Sequence, residues 1–421
     1  MEILVANHTL SIGGGESYLV TVAEQLQRLG HQVTVFAPEE GESTEDTRER
    51  GLRVVTRERD LPDEPTVIYA LDSFVAYLLA DLFPTTPQVH NVLAEEYDLC
   101  VPPQLPGITA AVVVLHSRVE HRAQAFAHGP EIVRLRQPVD TQRFAPHTPL
   151  RDPPRRVLLL GNYLRAERRA VVERACKELG LECVQVGGPS GCYTTAPEQL
   201  ICEADIVVGK ARVIVEAMAC GRAAYVYDRH GGDGWVTPER YDAFEADNFA
   251  GLADGAPMSA ARLRAELACY RPEMGLVNRE LALLNHAAFR HAHQLVALFR
   301  RVAPGRSAVD GPFRELARLV RVQWSTEHRA VRLAAELESV AQERNLLAAE
   351  NERLLTERAK AYETAESTIA WARGAGLAAR EAEAREQALL TTRRVRFANA
   401  IALPIDKLRQ LRASLRPSWT R

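Results

Sequence analysis

Along the first 145 residues, short apolar runs alternate with stretches whose apolar positions recur every three or four residues. EILVAN comes first. SIGGGES follows, and then SYLVTVAEQLQRLG, where Leu19, Val22, Ala23, Leu26 and Leu29 mark one face of a helix. Gly30 stands where a helix-ending glycine belongs, and HQVTVFAP reads as the next strand. The order strand, glycine loop, helix, strand predicts a βαβ unit and a parallel sheet. Further strands are predicted in GLRVVTR, TVIYAL, PQVHNV and AAVVVLHS, with a helix near 73–83. Each strand is nearly continuous in apolar residues, as expected when helices cover both faces of a sheet.

The pattern breaks at RFAPHTPLRDPPRR, whose prolines Pro146, Pro149, Pro153 and Pro154 read as an interdomain linker. It then restarts with RRVLLLGN. A helix over 166–179, the strand ECVQVGG, a helix over 197–202, the strand ADIVVGK, the helix VIVEAMACG and the strand AAYVYD follow. Helices over 259–270 and 277–303 close this part. The expectation is α/β: two doubly wound, Rossmann-like domains, 1–147 and 155–303, facing a cleft beyond the C-terminal ends of their strands. A third region, 312–390, is rich in Ala, Glu, Arg and Leu. Its Leu333, Leu337, Val340, Arg344, Leu347, Asn351, Leu354, Arg358 and Ala361 alternate by four and three, a heptad seam weakened by its arginines. Asn351 falls at an a position, where one Asn sets register in a parallel dimer. The region reads as a homodimerising coiled coil over 330–365, or as a long solvated helix.

The 421 residues, 25% charged and 46% hydrophobic, exceed one ordinary domain and exclude a wholly disordered chain. No apolar run reaches membrane-spanning length, and MEILVANHTL lacks the basic start of a secretory signal. The net charge of −3 is an average. Residues 1–100 carry 18 acidic and 6 basic side chains, net −12, whereas 391–421 carry 8 basic and 1 acidic, net +7. In the tail, Leu408, Leu411 and Leu415 share a helical face among Lys407, Arg409 and Arg412. That composition suits an anionic membrane surface, or equally a solvated tail. Nucleic acid is not expected as a partner, since the body is acidic at its N-terminal end. The 7 cysteines show no CxxC and no metal spacing, and they fit reduced thiols in the cytoplasm, with peripheral contact at the inner membrane face as the tail's variant of that placement.

Two stretches carry candidate chemistry. Gly13-Gly14-Gly15-Glu16 lets a ligand approach the backbone at a helix start that favours anions, or is a tight turn. In VVGKARVIVEAMACGR (207–222), a strand ends at Gly209, with Lys210 and Arg212 at its mouth and Glu216 on the following helix. The helix start and two cations suit a diphosphate, and Glu216 suits a ribose diol; a capped helix with a salt bridge is the other reading.

Together these features resemble the GT-B glycosyltransferases, specifically the retaining family 4 and its relatives, over roughly residues 1–303. GGGES with LGHQVTVFAP is similar to that family's opening. VVVLHS (112–117) with RQPVDTQRFAP (136–146) is similar to its domain crossing, where Asp140 and Phe144 fit the usual pattern. VLLLGN (157–162) is similar to the first donor-domain strand, and VEAMACGR (215–222) to its most characteristic stretch. The resemblance implies that Glu216 holds the nucleotide ribose, with Gly14, Gly15, Arg165, Lys210 and Arg212 also on the donor. It implies that His90 lies beside the transferred bond, and that Glu16, His116 and Ser117 face the acceptor. Gly231-Gly232-Asp233-Gly234-Trp235 reads as a loop at the sugar end of the pocket, or as a turn.

Two departures stand out. The family's second glutamate, eight positions before Glu216, is Val208 here, and the basic pair after the first donor strand is displaced to Arg165, Arg168 and Arg169. The implied reaction moves a sugar, with retention, from a nucleotide diphosphate sugar to a glycan or other hydroxyl acceptor. Fixed N–H groups and cations neutralise the leaving diphosphate, with no cofactor and no metal, since neither a DxD stretch nor a Cys/His cluster is present. The other readings are a non-catalytic GT-B module serving a coiled-coil scaffold, and a GT-B nucleotide-sugar epimerase.

Overall fold

The computed structural model describes residues 1–371 apart from 96, 127–128, 162–163, 229–230, 255–256 and 305–307, and beyond 371 only 384–385, 387–388, 397 and 407. Contacts divide the chain into Met1–Ser325 and Thr326–Arg421.

The first unit holds two sheets. Strands β1 (Glu2–Ala6), β2 (Gln32–Phe36), β3 (Arg53–Val55), β4 (Val67–Ala70), β5 (Gln88–Val92), β6 (Thr109–Val114) and β7 (Glu131–Arg134) lie in the order β3-β2-β1-β4-β5-β6-β7. All of their pairings are parallel. Helices α1 (Gly14–Arg28), α2 (Thr44–Glu49), α3 (Ser73–Leu82) and α4 (Ser117–Phe126) connect them. Strands β8 (Arg156–Leu160), β9 (Glu182–Val186), β10 (Ile206–Gly209), β11 (Ala223–Asp228) and β12 (Gly231–Trp235) form the second sheet, in the order β12-β11-β10-β8-β9. Its helices are α5 (Ala166–Leu179), α6 (Pro197–Glu203), α7 (Arg212–Ala219), α8 (Pro238–Ala246), α9 (Ala260–Leu267) and α10 (Glu273–Asn285). Each sheet is covered on both faces, so its central strands are almost wholly buried, as their apolar runs required, while β3, β7 and β9 are partly exposed.

Two expectations change. Gly231–Trp235 is not a ligand loop but the edge strand β12, antiparallel to β11. Its Gly232 packs against the Met258 methyl and the Tyr227 ring, and its buried Asp233 accepts N–H bonds from Ala253 and Asp254. The helix expected over 277–303 is two helices, because the chain recrosses between the sheets at His286–Ala287. The second of them, α11 (Ala288–Val302), packs Ala292, Leu295, Val296 and Phe299 into the core of the first sheet beside α1.

The recrossing meets the outgoing strap 136–140 in a short parallel bridge. The Val139 N–H donates to His286 O at 2.8 Å, and the Ala288 N–H to Val139 O at 2.9 Å. Two buried histidines grip the same strap. His286 Nδ1 lies 2.7 Å from Gln137 O and its Nε2 lies 2.8 Å from the Tyr241 hydroxyl. His291 Nδ1 lies 3.1 Å from Arg136 O and its Nε2 lies 2.8 Å from the Tyr18 hydroxyl. A carbonyl can only accept, so each imidazole donates from Nδ1 and accepts at Nε2. Tyr18 belongs to the first sheet's layer and Tyr241 to the second's, so one neutral Tyr–His pair anchors the strap on each side.

Helix α12 (Phe313–Trp371) begins on the first sheet, with Phe313 and Ala317 buried in its core. Arg314 pairs with Glu58 and Asp81, and Arg321 with Glu39. The second unit, taken by itself, starts at Thr326 within α12. There Leu333, Leu337, Val340, Leu347, Asn351 and Leu354 are half-buried, while Arg344, Arg358 and Ala361 are exposed. Most of the expected basic segment 391–421 lies outside the described residues. Among the described residues, no helix is long and apolar enough to cross a membrane.

The strap predicts an acid sensitivity. Burial pushes His286 and His291 down to about 4. A histidine that stays neutral when folded gives stability present above its unfolded pKa near 6.5 and lost as pH falls toward 4. Each should remove about 2 kcal/mol between pH 7 and pH 5. Urea unfolding at the two pH values should show this loss, and His291→Gln should flatten it; an equal slope in wild type and variant would refute the assignment.

Candidate functional site

The cleft is built around the junction of β10 and α7. Gly209 ends β10 where a Cβ would come within 2.9 Å of Leu160 O, so no larger residue fits without displacing the backbone of β8. Ala211 then takes φ 50 and ψ −128, a backbone conformation that favours glycine and costs about 1–3 kcal/mol in other residues. That sharp turn starts α7 immediately, with two residues between strand and helix. The short connection explains Val208. Counting eight back from Glu216 enters β10, where Val208 is fully buried in the core, so that position is not at the site.

Glu216 is buried on α7, and its Oε1 lies 2.6 Å from Arg212 Nε, one turn earlier. Burial raises the pKa of its carboxyl against the opposing charge of Arg212. The same guanidinium donates to Thr21 Oγ1 on α1 at 2.9 Å and to Pro138 O on the strap at 3.3 Å. Arg212 therefore occupies Glu216 and bridges the cleft. Ile12, Glu16 and Thr21 line one wall; Arg143, Phe144, Thr194 and Glu216 line the other. The remaining cavity is about 70 Å³. Sites that take small ligands are roughly 300–1,000 Å³, so this cavity is too small for one while Arg212 stays in place.

A second set of charges crosses the cleft nearby. Arg118 on α4 meets Asp247 at 3.3 Å and Glu95 at 3.5 Å, and Lys210 Nζ lies 3.9 Å from Asp228. Burial lowers the Lys210 pKa, against the charge of Asp228. Arg134 donates to the buried Glu245 at 2.7 Å.

The other sequence-derived residues are distributed unevenly. Gly14 opens α1 and Gly15 follows it close to Leu93, with Glu16 at the cleft wall, its pKa raised by burial. Ser117 starts α4, half-buried. His116 just before it is buried, its Nδ1 has no partner among the described residues, and burial with Arg118 and Arg134 pushes it down to about 3. Arg165 is exposed at the N-cap of α5, beside residues 162–163, which lie outside the described residues. His90 is corrected: it does not line the cleft. It sits in β5 between Ala70 and Val112, fully buried, with Nε2 3.1 Å from Cys100 O, and burial lowers it to about 4.

Sequence reasoning missed Thr21, Arg118, Arg143 and a His8–Asp72 pair. Asp72 Oδ2 accepts from the His8 N–H at 2.7 Å and lies 3.2 Å from Nδ1. The available signal was topological. Each residue falls two positions beyond a strand end, after Ala6 and Ala70, which are partners across β1 and β4.

Two parallel-stranded layers facing a cleft, with a strap out and a helix back, define the GT-B fold. The structure of Anabaena HepE in complex with UDP and glucose is similar, with a TM-score of 0.50 and 15% identity, covering 71% of this chain and 99% of that one. Sucrose-phosphate synthase from Thermosynechococcus elongatus is also similar, with a TM-score of 0.45 and 15% identity over 71% of this chain and 98% of its own. No curated protein matches the chain. Residues 12–136 match the model of Glycosyltransferase Family 4. Residues 12–136 are thus similar to the family 4 glycosyltransferases, and the likeness to HepE shows the GT-B fold. Among the described residues, no three His, Cys, Asp or Glu side chains are grouped to hold a metal ion.

The buried pair sets a stability test. Arg212→Ala leaves the Glu216 charge uncompensated and should lose about 3–5 kcal/mol in urea unfolding. Arg212→Ala with Glu216→Gln should recover a good part, since a neutral amide needs no cation; equal losses would show that the pair is not what holds the cleft.

Proposed function

We propose that the chain transfers a hexosyl group from a nucleoside diphosphate sugar to an acceptor hydroxyl, with retention as the family 4 resemblance implies. The carrying observation is Glu216: a carboxylate buried at the cleft, one turn into a helix that starts at a strand's C-terminal end, and held by a cation that can leave it. A ribose diol donates two hydrogen bonds to such a carboxylate. Once displaced, Arg212 becomes available to the diphosphate, beside the α7 N–H groups and Lys210, and stabilises its developing charge. Gly14 and Gly15 allow the donor to approach α1. Glu16, His116 and Ser117 belong to the acceptor side. The UDP and glucose bound by HepE favour a UDP-hexose as the first donor to try.

The absent second glutamate does not favour a scaffold-only reading, because the short β10–α7 turn removes its place while Lys210, Arg212 and Glu216 stay clustered. The half-buried stripe from Leu333 to Leu354 supports pairing of two copies over 330–365. Leu347→Lys with Leu354→Lys should halve the mass in sedimentation equilibrium, and an unchanged mass would remove the dimer.

Donor hydrolysis and donor-induced thermal stabilisation test the activity directly. Glu216→Ala should weaken donor binding about tenfold or more, the loss expected for hydrogen bonds to a charged group. Absence of any nucleotide-sugar binding by the wild type at millimolar concentration would overturn the reading.

A further inference from the structure

Of the seven free cysteines, four meet in two hydrogen-bonded pairs. Cys202 on α6 meets Cys220 at the end of α7, and both lie in the second sheet's core, 4% and 0% exposed. Cys176 on α5 meets Cys183 on β9. Cys176 is buried but Cys183 is only half-buried, so this second pair is the one within reach of a solute. Its geometry follows from the local fold. Helix α5 ends at Leu179, and Gly180, with φ 69, turns the chain toward β9. The Leu181 N–H donates to Cys176 O at 2.9 Å and fixes that turn to the helix end. Leu181 and Cys183 are two residues apart and share a strand face, which packs with Val172, Ala175 and Cys176. Val184 and Val186 pack on the opposite side. Strand β9 is an edge of its sheet, with Val157 of β8 opposite Cys183.

The two sulfurs are not equivalent. The Cys176 thiol donates to Cys183 Sγ, which pushes the Cys183 thiol below its ordinary value against burial. The charged groups beside it are Arg169, which acts in the same direction, and Glu173, which opposes it and accepts from Arg169 at 2.6 Å. The same bond, with burial, pushes Cys176 up. Cys183 is therefore the first to ionise, and Cys176 keeps its proton beside it, as a resolving thiol does. In the other pair, the bond from Cys220 pushes Cys202 down to about 6, yet burial withholds that thiol from solutes.

We propose that Cys183 and Cys176 are a site of reversible oxidation by hydrogen peroxide, forming a disulfide that staples the edge strand β9 to α5. The Cys183 thiolate attacks one peroxide oxygen. The O–O bond breaks with its electron pair on the departing hydroxide, which a proton converts to water, and Cys183 becomes a sulfenic acid. Cys176 Sγ then attacks the Cys183 sulfur. The S–O bond breaks, and the hydroxyl leaves with the Cys176 proton as a second water. Two thiols have lost two protons and two electrons, and one peroxide has become two waters. The disulfide closes the segment from Cys176 to Cys183 and restricts the unfolded chain. It lies at the N-terminal end of β9, whereas the cleft lies beyond the C-terminal ends of the strands, so it holds the sheet edge without entering the donor site. The proposal is independent of the transferase reading.

The test treats the full chain with a small molar excess of hydrogen peroxide and blocks the remaining thiols with iodoacetamide. Tryptic peptides are read by mass spectrometry beside thermal unfolding. Cys192→Ser with Cys269→Ser serves as the background, because both cysteines are exposed and would link separate molecules. A linked peptide carrying Cys176 and Cys183 should form before Cys202 or Cys220 reacts, and dithiothreitol should release it. The linked chain should melt a few degrees higher than the reduced one. Cys176→Ser should leave Cys183 as a sulfenic acid that dimedone traps, with no gain in melting temperature over its own reduced form. Cys183→Ser should leave Cys176 unreacted. A Cys183 that stays unreacted, that becomes sulfenic or sulfinic acid with Cys176 present, or that reacts after Cys202 would overturn the proposal. A linked chain that melts no higher than the reduced one would overturn the staple.

Discussion

A carboxylate buried between two sheets must be given a cation, and this constraint organises the cleft. Leaving Glu216 unpaired would cost several kcal/mol, far more than one contact on the surface is worth. The chain supplies Arg212 from one turn earlier on α7, and its remaining N–H groups reach Thr21 and Pro138. One interaction thus satisfies a buried charge, joins the two layers and fills the space a donor would occupy. On the proposed reading, a donor whose ribose diol replaces the cation would satisfy Glu216 by other means and free Arg212.

The architecture around that junction keeps the two halves in register. The strap and recrossing bond to each other, and the strap is tied to each sheet's layer through one neutral histidine and a tyrosine. Other conserving contacts act at the ends of the strap. Asp140 accepts from Arg28 at 2.8 Å and from the N–H groups of Gln142 and Arg143. Arg222 is buried among the carbonyls of Thr148, Cys202, Ala204 and Cys220. The proline-rich segment is therefore laid down on the second layer rather than left as a loose tether.

Much of the fold was legible because buried parallel strands must be apolar. The helix expected over 166–179 is α5 at the same bounds, and the strands around it follow. What escaped lacked that signal. Helix α4 buries only Val119 and Ala123, and β12 is three glycines, an aspartate and a tryptophan held by an antiparallel partner. The break at His286–Ala287 is set by the recrossing, a tertiary event with no local cue. At the site, the VEAMACGR stretch led to Glu216 because its residues are local. His8 and Asp72 are 64 residues apart, so only the strand order brings them together. His90 misled because a strand-end histidine in sequence need not emerge at the surface, and here the residues around Cys100 cover it.

The most direct measurement is a structure of the chain with a nucleoside diphosphate that raises its melting temperature. The account predicts the ribose hydroxyls on the Glu216 carboxylate, the diphosphate at the start of α7, and Arg212 withdrawn from Glu216 toward it. A bound nucleotide whose ribose lies elsewhere, with Arg212 still on Glu216, would contradict it.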